Sequence, residues 1–217
     1  MSLSKFGPFA IVFAQGPRLT PGYLELLGLH NEAAQVVLDR LESAVSSVEA
    51  SGFIDALFDE PNWRPHLVGA MALLIEQDQH FTPVGLWRAV DAGSWVTPQL
   101  VVTAYFVDPE FRQRLVERVE AMCPVSVPGS MSPLERHSAT GPASPVQRSA
   151  KLMASLVFVG RRLPSTLPWV DAMCAKPRIA ELLAQDVDDA AGICEDWLEQ
   201  LTLQFARRGR QLKSKSA

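Results

Sequence analysis

Six prolines in this chain directly follow a small hydroxyl or carboxyl residue: Thr20-Pro21, Thr82-Pro83, Thr97-Pro98, Asp108-Pro109, Ser132-Pro133 and Ser144-Pro145. The pairing has a physical basis. A Ser, Thr or Asp oxygen accepts from the unpaired amides of a helix's first turn. Proline has no amide to leave unpaired, and its fixed φ suits the first helical position. It also discourages the residue before it from being helical. Such dipeptides therefore mark helix starts wherever a helical apolar pattern follows.

Three segments carry that pattern clearly. After Asn31, Val37, Leu41, Ala44 and Val48 share one face, with Gly52 as the expected stop. After Asp108-Pro109, Phe111, Leu115, Val119 and Met122 line one side, and Glu110 is placed to pair with Arg114 one turn on. After Asp186, Val187, Ala190, Cys194, Leu198, Leu201 and Phe205 form a long stripe. Asp188 and Asp189 at its start and Arg207 and Arg208 at its end match the helix dipole, and Gly209 reads as its terminator.

Two segments are apolar nearly all round, Leu67 to Ile75 and Leu100 to Val107. Periodicity alone does not separate a buried helix from a buried strand, and "LVVTAYFV" has the β-branched content of a strand. Both follow a proline start and lie between helical patterns, so helix is expected, placed centrally and surrounded by the amphipathic helices. The starts resemble each other: "NWRPHLVGAMALLI" from Asn62 and "SWVTPQLVVTAYFV" from Ser94 put Pro65 and Pro98 33 residues apart, with a shorter unit from Thr82-Pro83 to Val90 between them.

A 33-residue spacing of helix–turn–helix units resembles HEAT-type helical repeats in degenerate form, over about Phe53 to Met122. The Asp and Arg that link neighbouring repeats in the usual HEAT pattern have no clear counterparts. The fold class expected is all-α, either an irregular HEAT-like repeat or a compact multi-helix bundle with one long Pro/Ser-rich loop. The resemblance implies stacked helices and a surface for a protein partner. In general style it extends to small HEAT-like bacterial proteins, some of which neutralise toxins as immunity proteins.

The chain has 217 residues, 47% hydrophobic and 20% charged, which suits a globular core and not a disordered polymer. We read residues 1–217 as one helical domain, with a long surface loop at 124–146 that holds five prolines and a flexible basic tail at 207–217. Two subdomains joined by that loop is the alternative. The tail contains Arg207, Arg208, Arg210, Lys213 and Lys215; without these five cations the net charge of −4 becomes −9. An acidic body gives no general attraction to nucleic acid or an anionic membrane, which leaves only the tail as a nucleic-acid arm. No apolar run reaches the length of a membrane span. The stretch "FGPFAIVFA" near the start reads as a buried extended segment, with a weak export signal as the alternative. Cys123, Cys174 and Cys194, odd in number and far apart, suggest neither a disulfide framework nor a zinc cage. Cys194, on the stripe of a helix, is expected to be a buried thiol, and the location expected is a reducing cytoplasm.

Reactive machinery is not spelled out. Phosphate-binding glycine loops and a nucleophile elbow are absent from the sequence. Gly160-Arg161-Arg162 reads as a helix end with dipole-matched arginines, or less simply as an anion site. Glu76 and His80 are half of a metal site with nothing to complete it. The sequence thus assigns no catalytic residue, metal or cofactor. Trp63, Trp87 and Trp95 lie within 33 residues. Packing is the simpler reading, with Trp63 and Trp95 stapling the turns that follow. The alternative is an exposed aromatic–arginine patch of Trp63, Arg64, Trp87, Arg88 and Trp95, the residue types enriched at interface hot spots. The function expected is a non-catalytic helical protein that binds another protein, basic if it complements the acidic body. The rival is an enzyme or small-ligand binder with a pocket between helices, built from His66, His80 or Glu76.

Overall fold

The computed structural model describes residues 3–14, 20–47, 50–76, 83–123 and 145–212. The architecture is all-helical. A 3-10 turn at Leu3–Phe9 leads into α1 (Ala10–Phe13), followed by α2 (Gly22–Glu25), α3 (Glu32–Val45), α4 (Ala50–Phe58) and α5 (Trp63–Ile75). Then come α6 (Val84–Asp91), α7 (Thr97–Val107), α8 (Phe111–Ala121), α9 (Pro145–Gly160), α10 (Leu167–Cys174), α11 (Pro177–Ala184) and α12 (Ala190–Arg207).

The two helices that are apolar all round occupy the centre. α7 packs against α5, α6, α9 and α12, and α5 against α3, α4 and α7. Leu67, Val68, Met71 and Leu74 of α5 and Leu100, Val101 and Ala104 of α7 are fully buried. Burying one such Leu or Val side chain contributes about 1.5–3 kcal/mol, so a helix apolar on every side is stable only when enclosed on every side. α7 packs on both α5 and α9; α4 packs on α5 and α6, α6 on α5 and α7, and α12 on α7 and α9.

Close approach between α4 and α5 depends on Gly69. A Cβ there would lie 2.7 Å from the Phe58 ring. α12 is held through polar contacts as well as through Cys194, Trp197 and Leu201. Gln204 Nε2 donates to the Leu29 carbonyl (2.5 Å), the Leu29 amide donates to Gln200 Oε1 (2.8 Å), and the Cys194 thiol points at the Pro98 carbonyl (3.6 Å).

Proline marks helix starts as expected at Pro21, Pro83, Pro98, Pro109 and Pro145, each within two residues of a first helical residue. The capping chemistry differs from the expectation at Thr97, whose hydroxyl donates back to the Ser94 carbonyl (2.6 Å) instead of accepting from the next turn. Asp108 behaves as expected: its Oδ1 accepts from the Glu110 amide (2.8 Å). The Glu110–Arg114 pair also forms, at 2.9 Å. Ser132-Pro133 and residues 124–144 of the expected loop lie outside the described residues.

Four expectations are corrected. The stretch "FGPFAIVFA" is helical, not extended; Phe6, Phe9 and Val12 insert into the core from the 3-10 turn and α1. Gly52 lies inside α4 and does not end α3, which stops at Val45. Val187 is 73% exposed and outside α12, because Asp189, at a left-handed φ of 50°, is the N-cap and accepts from Gly192 N (3.2 Å). The basic tail is docked through residue 212 among the described residues. Arg208 pairs with Asp39 and Glu42 of α3, both at 2.8 Å, and Arg210 donates to the Ile75 carbonyl at the end of α5. The physical reason is that α5 ends with unpaired carbonyls and α3 presents acids beside them.

A buried knot joins α6, α7 and α8. Trp87 Nε1 donates to Asp108 Oδ2 (2.6 Å), which also lies 3.1 Å from Arg114 Nε. Arg118 covers the Trp87 ring at 4.1 Å and grips Asp91 with two bonds of 2.8 and 2.7 Å. Trp87→Phe removes the donor and leaves the buried Asp108 less satisfied, so urea unfolding of this variant should show a loss of about 1–3 kcal/mol. Arg88→Ala, which removes only an exposed ion pair with Asp59, should shift stability by less than about 1 kcal/mol.

Candidate functional site: an aromatic step at the start of the central helices

The first turns of α5 and α7 lie side by side, so the matching sequence starts meet in space. Trp63 opens α5 and Trp95 sits in the turn before α7; their rings are 4.8 Å apart, tilted by 48°. Tyr23 of α2 meets Trp63 edge-on at 5.9 Å, and Phe13 of α1 lies 6.0 Å behind Tyr23. The row ends in solvent at Trp95, which is 57% exposed.

Arg64 lies across this row. Its guanidinium is 5.1 Å from the Trp63 ring centre and 5.7 Å from that of Tyr23. Its Nε donates to the Tyr23 hydroxyl (2.9 Å) and its Nη1 to Asn62 Oδ1 (3.2 Å). Asn62 also caps α5 by accepting from the Arg64 amide (3.1 Å). The exposed arginine is thereby held in one orientation by a phenol, an amide oxygen and two ring faces.

The support beneath the step is His66. Its Nε2 is 2.7 Å from the Glu60 carbonyl, and its Nδ1 is 2.9 Å from the Ser94 hydroxyl. A carbonyl only accepts, so Nε2 carries the proton and Nδ1 accepts from Ser94 in the neutral ring. Ser94 immediately precedes Trp95. The imidazole therefore ties the α6–α7 turn to the start of α5. Burial holds its pKa below the usual 6.5, against the opposing pull of Glu60.

Of the five residues that the sequence grouped as a patch, Trp63, Arg64 and Trp95 come together here. Trp87 does not join them, because it is buried in the core knot, and the exposed Arg88 pairs with Asp59 in the turn that leads to Asn62. On α6 the packing of the indole against Phe111 and Arg118 decides its direction. Tyr23 was not legible as a member. It lies 40 residues upstream of Trp63, and no local pattern links the two.

Of the rival histidine–carboxylate pocket, only His66 and Glu76 are among the described residues, and these two do not converge. His66 and Glu76 stand at opposite ends of α5, about 15 Å apart along a helix of this length, and His80 lies outside the described residues. Burial raises the pKa of Glu76. Among the described residues no group of three or more His, Cys, Asp or Glu side chains could share a metal ion. Two open clefts, of about 320 and 310 Å³, lie elsewhere. The larger, between α9, α11 and α12, contains Arg161 and Arg162 together with Asp186 and Asp189. Its arginines are engaged, Arg161 with Asp171 (3.4 Å) and Arg162 with Glu195 (3.5 Å) and the Phe158 ring (3.9 Å). Burial raises the pKa of Asp186, opposed by the Ala190 amide. The Cys194 thiol is buried as expected, and its pKa is pushed up to about 12.

In comparisons with known proteins, no family model matches this chain, and no curated protein or solved structure matches it significantly.

His66 generates a pH dependence with a definite sign. Its folded pKa is depressed, so the unfolded chain takes up the proton first, and the stability it supplies is present above about pH 6.5 and lost as pH falls below that. Between about pH 7.5 and about pH 5.5, wild-type unfolding free energy should fall more steeply than that of His66→Gln. Parallel denaturant titrations of the two proteins measure the difference in slope.

Proposed function

We propose that this protein works by binding another protein through the Trp95–Trp63–Tyr23–Arg64 step, without catalysing a reaction itself. One observation carries the reading: a tryptophan more than half exposed, packed on a second tryptophan whose ring is also faced by an arginine. Leaving an indole in water is costly, and Trp, Tyr and Arg in rigid arrangements are the residues that dominate interface energetics. No comparable group of converging polar side chains supports a reaction centre among the described residues.

The side-by-side packing of α5 and α7, each preceded by an outer helix, supports the view of the chain as a degenerate HEAT-like array with an adaptor or bacterial immunity-type role. Three cysteines without disulfide partners among the described residues suit a reducing cytoplasm. No helix among the described residues is long and apolar enough to cross a membrane.

The test is affinity capture from source cells with the wild-type chain and with Trp95→Ala. Trp95 is exposed, so the variant should unfold at nearly the wild-type denaturant concentration. Its affinity for the captured protein should drop by about thirtyfold or more, the effect of losing a hot-spot tryptophan. Equal capture by both proteins would sink the proposal, as would a tight metabolite with no protein partner.

A further inference from the structure

We infer that the segment received by this step is an extended peptide bearing a carboxylate, its acid on Arg64 and its neighbouring apolar residue on Trp95. The inference rests on the protein-binding reading above and specifies the partner's chemistry. It follows from which polar groups at the step remain unused. Arg64 Nη2 makes none of the described hydrogen bonds, and no carboxylate pairs with Arg64 among the described residues. The adjoining 59–62 turn is already matched in charge, Glu60 with Lys5 and Asp59 with Arg88. Among the described residues the step therefore presents a positive charge without an ion-pair partner, on a chain whose net charge is −4.

The indole N–H of Trp95 also has no described partner, and Trp95 is 57% exposed. The step thus offers two kinds of donor, an indole N–H on Trp95 and a guanidinium N–H on Arg64, on two side chains that both pack against the Trp63 ring. A complementary ligand supplies acceptors and an apolar surface. An extended peptide does both, because its carbonyls are unpaired and its side chains alternate. A carboxylate adds the charge-assisted bond that the fixed guanidinium is oriented to make. Arg64 is held by Tyr23 and Asn62 before any ligand arrives, so little orientational freedom is lost on binding.

Selection of a random linear-peptide display library on the full chain tests this, followed by solution binding of the enriched peptides to wild type, Trp95→Ala, Arg64→Glu and Arg64→Gln. The expected result is enrichment of Asp or Glu beside an apolar residue. Affinity should fall about tenfold or more in Arg64→Gln, and further in Arg64→Glu. Replacing the peptide's acid with Lys should restore part of the affinity toward Arg64→Glu. Trp95-dependent peptides that carry no acid, or that bind Arg64→Glu as well as wild type, overturn the acidic partner but leave the docking step standing. Absence of any Trp95-dependent peptide overturns both readings. Displacement of the peptides from Trp95 by a single-stranded oligonucleotide also overturns them, in favour of base stacking.

Discussion

The architecture depends on enclosing α7. Its side chains are buried from Pro98 to Val107 apart from the partly buried Tyr105, and a helix with no polar face has no stable place at a surface. Enclosure requires neighbours on every side, and the chain supplies α5, α6, α9 and α12. The consequences reach outward. α5 is nearly as apolar and lies beside α7, so it needs α3 and α4 for cover. α12 packs against both α7 and α9, which completes the cover of α7. The basic C-terminal residues then follow α12 back to α3, where Arg208 meets Asp39 and Glu42.

The same enclosure creates the aromatic step. Two helices packed side by side with their first turns together bring the residues at and just before each start into contact. Trp63, the first residue of α5, and Trp95, in the turn before α7, meet there at 4.8 Å. His66 and Ser94 fix the junction beneath them, so the exposed indole stands on a rigid base. Side chains placed on helix starts are held more precisely than side chains on a long loop.

Net charge and local charge point in different directions here. The acidic total suggests a basic partner at long range, yet the step itself carries an unmatched arginine. In physiological salt, exposed charges beyond about 8 Å are largely screened. The local potential at the step is therefore set mainly by Arg64, while the acidic remainder governs diffuse properties such as solubility.

The sequence by itself determined the helical class, most helix starts and the two central helices. These depend on local rules: proline's missing amide, the 3.6-residue period, and apolar runs too uniform for a surface. It also showed that Trp63 and Trp95 each lie within three residues before a helix-opening proline, Pro65 and Pro98. Only the tertiary structure decided which aromatic residues meet. Trp87 has the same Trp-Arg form as Trp63, but an aspartate 21 residues away takes its N–H and draws it inward. Tyr23 joins the step from 40 positions upstream. Burial and partner choice arise from packing between distant segments, and a pattern confined to a few neighbouring residues carries no record of it.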